Sequence, residues 1–223
     1  MQAQLVAHNL IIPLLTLQAA VRIELGDGHT YEYIDGTVSV QLAPEMKGLF
    51  PATGDYFDYY SSQNDSKIKA LEDLGAFIEN EGPYDGILGF SHGAALAAAY
   101  MVREAQHNPT KHLVEPAFKV AIFYSSIGVV DPSHLLEHGT ERWLSGSEGP
   151  LIQIPTAHIW GKNDDEWSKA SNEVAMLCES TKRSVFIHNG GHEIPGSKDR
   201  AGLYGTVHAI RRAIDDAFSF QVA

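Results

Sequence analysis

Ile87-Leu88-Gly89-Phe90-Ser91-His92-Gly93-Ala94-Ala95-Leu96-Ala97-Ala98-Ala99 is the stretch that decides the fold. An apolar run ends at Gly89, a small-residue turn follows, and an Ala-rich helix opens immediately. Gly89, Ser91 and Gly93 match G-x-S-x-G, in which a serine sits on a sharp strand-to-helix turn. Such a turn strains the serine backbone and crowds the chain two residues to either side, so glycines are needed at both flanks. A chance match would have no reason to fall between a strand and a helix. We therefore expect Ser91 to be a nucleophile, with the backbone N–H of His92 at the helix N-terminus ready to receive developing negative charge.

Outward from this turn, short β-branched or aromatic runs alternate with longer amphipathic ones, the pattern of βαβ units around a parallel sheet. Strands are expected at Thr30 to Ile34, Gly86 to Gly89, Lys119 to Tyr124, Thr156 to Trp160 and Ser184 to His188, all of them buried and central. Helices are expected at Ser66 to Asn80, His92 to Gln106, Asp165 to Cys178 and Ala201 to Phe218, covering both sheet faces. The fold class is α/β, a mostly parallel central sheet flanked by helices. Asp131-Pro132, Gly139, Gly146, Gly149 and Pro150 break up residues 129–155, which read as a lid or insert within one domain spanning 1–223.

The composition narrows the function. The 223 residues are enough for one compact core. A net charge of −12 with scattered Lys and Arg repels polyanions, so no nucleic-acid partner is expected. Cys178 is the only cysteine, which removes intrachain disulfides and zinc sites built on several thiolates, and fits a reducing compartment. The apolar stretch from Leu10 to Leu17 contains Pro13 and is too short to span a bilayer. With no Lys or Arg before Arg22 it also lacks the basic flank of a secretory signal, so a cytoplasmic protein without a membrane span is expected.

A serine hydroxyl is a weak nucleophile and needs a base, with the acid falling between serine and histidine in this chain order. His192 lies in Asn189-Gly190-Gly191-His192-Glu193-Ile194-Pro195, a Gly-rich loop beyond the last expected strand, and is the expected base. His188 is expected to bond locally, and His107, His112, His134 and His138 to be solvated. The strand ending His158-Ile159-Trp160-Gly161 leads to Asp164 and Asp165. Asp164 is the expected acid, and Asp165, the alternative, suits an N-cap of the next helix. A metal site from His188, His192, Asp164 and Asp165 would need a helix that Gly190-Gly191 opposes, so no metal is expected. Tyr56, Phe57, Tyr59 and Tyr60 read as core or as the wall of an acyl pocket.

Gln18 to Val38, Glu81 to Ala98, His158 to Asp164 and Gly190 to Pro195 resemble the fungal family of serine hydrolases, within the α/β-hydrolase superfamily. Leu25-Gly26-Asp27-Gly28-His29-Thr30-Tyr31-Glu32-Tyr33 with Asp35-Gly36-Thr37-Val38 is similar to the subgroup associated with fungal polyketide gene clusters. The resemblance implies a cofactor-free esterase or thioesterase whose triad falls on Ser91, Asp164 and His192. It also implies an acyl ester or thioester substrate, in some members carried by the acyl-carrier protein of a polyketide synthase. Members begin with a strand and a Leu-His-Gly-type loop that supplies a second oxyanion donor, and Met1 to Leu17 shows no such motif. The sheet is therefore expected to lack the family's usual first strand unless Leu5 to Leu15 fills the space. A catalytically weak relative that binds an acyl-carrier protein or small ligand is the alternative reading.

Overall fold

The computed structural model describes residues 4–8, 19–41 and 54–219. Its centre is a six-stranded, all-parallel sheet in the order β2-β1-β5-β6-β7-β8. The strands are β1 (Gln4–His8), β2 (Tyr31–Asp35), β5 (Gly86–Phe90), β6 (Val120–Tyr124), β7 (Thr156–Gly161) and β8 (Arg183–His188). A separate antiparallel pair, β3 (Val38–Val40) and β4 (Tyr56–Asp58), lies outside the main sheet.

The expectation of a missing first strand is corrected here. β1 lies inside the sheet, in register with β2 from Gln4↔Tyr31 to His8↔Asp35 and with β5 from Gln4↔Gly86 to Ala7↔Gly89. Residues 4–8 contain no Gly or Pro, so each can join the backbone ladder on both sides. The loop after β1, the apolar stretch from Leu10 to Leu17 and the question of a second oxyanion donor lie outside the described residues.

Two cores flank the sheet, and strand periodicity divides the side chains between them. Along β6, Ala121 and Phe123 point to one core, whereas Val120, Ile122 and Tyr124 point to the other. The first core is closed by α2 (Asn64–Glu81), α3 (His92–His107) and α6 (Ser168–Met176), through residues such as Leu71, Leu96, Met101 and Val174. The second is closed by α1 (residues 19–25) and α7 (Arg200–Phe218), through Val21, Leu203, Val207 and Ile210. Burying each such side chain contributes about 1.5–3 kcal/mol, so the two layers rather than helix propensity hold these elements in place. The Ala run of α3 is what lets that helix lie close over β5: Ala94, Ala97 and Ala98 are fully buried.

Not every expected strand is central. Among the described residues β2 and β8 are the sheet edges, and Val185 and Ile187 of β8 are exposed. The helix expected over Asp165 to Cys178 begins only at Ser168, because the preceding turn is held by Asp164: its carboxylate Oδ1 accepts from Trp167 N–H at 3.2 Å and its carbonyl from Ser168 N–H at 2.9 Å. Within residues 129–155, the predicted breakers act as caps. Asp131 accepts from the N–H groups of Ser133 and His134 at the start of α5 (Pro132–His138), Pro132 occupies its first turn, and Gly139 ends it with φ 65°. α4 (Pro109–Val114) links α3 to β6 and buries His112, which the sequence placed in solvent.

Candidate active site

Ser91 lies between β5 and α3 with φ 55° and ψ −119°, a conformation that L-residues rarely adopt. The surroundings hold it there. Its N–H donates to the carbonyl of Tyr124 on β6 at 2.9 Å, and its carbonyl accepts from Ala95 N–H at 3.1 Å. A Cβ on Gly89 would come 2.5 Å from the backbone nitrogen of Ala94 and the carbonyl oxygen of Gly93, so no larger residue fits beneath the turn. The Ser91 side chain makes no capping bond to its own helix and is free to face across the sheet.

What it faces is His192. The Oγ of Ser91 and the Nε2 of His192 are 2.9 Å apart, and the Nδ1 of the same imidazole is 2.7 Å from Oδ2 of Asp164. A carboxylate accepts at Nδ1–H, which leaves Nε2 as the acceptor for the serine hydroxyl. Asp164 is buried and Ser91 and His192 are partly shielded, so the contacts form where solvent competes little.

The loop carrying His192 is fixed from below and from the side. Ile194 is buried in the core beneath α7. The carbonyl of His188 accepts from Lys162 N–H at 2.9 Å and that of Gly190 from Asn163 N–H at 3.0 Å, which lashes this loop to the one bearing Asp164. Gly161 makes the approach possible, since a Cβ there would overlap the carbonyl oxygens of Gly190 and Gly191. Phe90, the last residue of β5, packs its ring 5.0 Å from that of His192.

The sequence-predicted residues thus come together. Ser91, Asp164 and His192 form one hydrogen-bonded relay at the carboxyl ends of β5, β7 and β8. His92 opens α3, and first-turn N–H groups of a helix have no intrahelical acceptor. Asp165 is exposed and caps nothing; Trp167 occupies the N-cap position of α6. His188 is buried and accepts from Gly190 N–H at 3.1 Å, a local role as expected.

One cluster escaped the sequence reading. The His92 side chain stacks on Tyr60, with ring centres 5.2 Å apart and planes within 7°, and its Nδ1 lies 2.6 Å from Oδ2 of Asp58. This is a close polar contact without hydrogen-bond alignment. Nothing in the sequence linked the hairpin strand β4 to the elbow; the hint was an imidazole directly after the nucleophile.

The serine hydrolase (FSH1) family pattern matches residues 17–202, which include the elbow and the loops of Asp164 and His192. This chain belongs to the FSH1 serine hydrolase family. Among curated relatives of this serine hydrolase, the esterase FPY3 of Fusarium mangiferae is 36% identical over 183 residues, covering 79% of each chain. The hydrolase phiM of Talaromyces stipitatus is 30% identical over 185 residues, covering 74% of this chain and 68% of its own. Among solved structures, a carboxylesterase from Mesorhizobium loti superposes with a TM-score of 0.58 over 90% of this chain and 84% of its own. At 17% identity that likeness shows the α/β-hydrolase fold.

Proposed function

We propose that this serine hydrolase is an acyl esterase or thioesterase working through Ser91, His192 and Asp164. The observation that carries the reading is the relay of 2.9 Å and 2.7 Å contacts on the strained elbow. His192 takes the proton of the Ser91 hydroxyl through Nε2 as Oγ attacks the substrate carbonyl, and the oxyanion accepts from the His92 N–H. Asp164 holds the imidazole in the required tautomer and balances the positive charge. The imidazolium then protonates the leaving alcohol or thiol. Water, deprotonated by His192, attacks the acyl-enzyme and regenerates Ser91.

Ester hydrolysis is supported by the relative named an esterase. The finer parts of the proposal are a thioester on an acyl-carrier protein and a role in polyketide metabolism, which rest on the resemblance of Leu25 to Val38 to that subgroup. The chemistry asks for no metal or cofactor. The chain acts as one domain with residues 129–155 as a lid, and its acidity disfavours nucleic acid. No helix among the described residues is long and apolar enough to cross a membrane, and we place the protein in the cytoplasm. The weak-binder alternative drew on two features of the N-terminus, a missing first strand and a missing Leu-His-Gly-type loop, and β1 in the sheet interior removes the first of them.

A fluorophosphonate probe tests the reading. The folded wild-type protein should be labelled and Ser91→Ala should not; an unlabelled wild type, or a labelled Ser91→Ala, overturns it.

A further inference from the structure

We infer that the cavity between α2, α3 and α5 is the acyl-binding pocket of this enzyme and that it takes a bulky, predominantly apolar acyl group, aliphatic or aromatic. The inference rests on the serine hydrolase reading and deepens it. The cavity measures about 540 Å³. That lies inside the roughly 300–1,000 Å³ typical of small-molecule sites and far exceeds what an acetyl group fills.

Its position ties it to the relay at two points. His92, on its wall, follows Ser91 directly, and Trp167, also on its wall, donates its N–H to Asp164. From His92 the cavity runs along one face of α3 past Ala95 and Ala99, positions three and four residues apart that share a helix face. Both are alanines, so the space a longer side chain would occupy is left open. Leu71, Val130 and Trp143 close the other sides.

Its charged groups are already engaged with one another. Lys67 Nζ reaches Glu141 at 2.6 Å and the carbonyl of Ser62 at 2.9 Å, and His92 meets Asp58. An incoming charged acyl group would have to displace these contacts, whereas an apolar one leaves them intact and buries its own surface. The Lys67–Glu141 pair also braces the outer wall, because Glu141 precedes Trp143 by two residues.

The experiment compares kcat/KM for p-nitrophenyl octanoate and p-nitrophenyl acetate. The wild type should favour octanoate. Ala99→Phe, which fills the cavity, should lower the octanoate-to-acetate ratio by about tenfold or more. Trp143→Ala, at an exposed wall that leaves α3 untouched, should lower it in the same direction and decides the matter if Ala99→Phe does not fold. A wild type that favours acetate, or a ratio unchanged in the folded variants, overturns the pocket while fluorophosphonate labelling and turnover persist. Loss of labelling and of turnover together in the folded wild type overturns the hydrolase reading beneath it.

Discussion

His192 Nε2 lies 2.9 Å from Ser91 Oγ although the two residues are 101 positions apart in the chain. The meeting is possible because parallel strands all point the same way, so the loops after β5, β7 and β8 emerge at one edge of the sheet. If Asp164 sets the imidazole tautomer, Asp164→Asn should keep the fold, since the amide oxygen can still accept from Trp167 N–H, yet reverse the hydrogen-bond sense at Nδ1. We expect kcat on an activated ester to fall by about 10⁴-fold with the melting temperature nearly unchanged, by analogy with triad enzymes. A loss of less than about tenfold would place Asp164 outside the mechanism.

Gly161→Ala should separate activity from stability. The added Cβ overlaps the carbonyl oxygens of Gly190 and Gly191, so the His192 loop must lift away from β7. Displacements near 1 Å at a catalytic group typically cost on the order of a hundredfold in rate. Steady-state kinetics should therefore show a large drop in kcat, while urea unfolding shows a loss of about 1–3 kcal/mol, the usual cost of overpacking. Equal kcat in the variant and the wild type would mean that the loop position is not set by this contact.

The elbow was legible in the sequence because its constraint is local: Gly89 is demanded by the backbone of Gly93 and Ala94, within a few residues of Ser91. His192 and Asp164 were legible because chain order and Gly-rich loops placed them at strand ends. β1 was not, since its five residues show no motif and its place between β2 and β5 is a long-range pairing. The Asp58–His92–Tyr60 cluster was hidden for the same reason, being formed by a hairpin outside the main sheet and the first turn of α3. Asp165 was misread as a cap because adjacent carboxylates look alike in sequence, and only the turn geometry shows that Asp164 serves both Trp167 and His192.

Acid should weaken the fold before its carboxylates titrate. Burial, with a smaller contribution from Arg183, pushes the pKa of His158 from 6.5 down to about 3, and burial also lowers those of His112 and His188. Below the ordinary histidine value the unfolded chain takes up protons that the native protein refuses, so stability falls as pH drops from that value toward the depressed ones. Each such group contributes up to about 1.4 kcal/mol per pH unit within its window. Urea midpoints at about pH 7.5 and about pH 5 should show the decline, and His158→Phe should make it shallower whatever its absolute stability. An unaltered slope in that variant would reject His158 as a contributor.

Asp131 joins the segment after β6 to α3 and to the wall of the proposed pocket. Its Oδ1 accepts from Gln106 Nε2 at 3.0 Å and from the first turn of α5, and its Oδ2 from Arg142 Nε at 3.1 Å. Burial alone would raise the Asp131 pKa, but the bonds from Gln106, Arg142 and His134 outweigh it and hold the value below the usual carboxylate range. The stabilisation is therefore present above the ordinary aspartate pKa and is lost as pH falls through the depressed one. Arg142 is exposed, which screens its share, so Asp131→Ala should cost about 2 kcal/mol, mainly through the lost cap and the orphaned Gln106 amide. Because Trp143 follows Arg142, the same variant should also loosen that wall, and octanoate turnover should fall more than acetate turnover. Equal effects on both esters would show that the Asp131 network supports the fold without shaping the pocket.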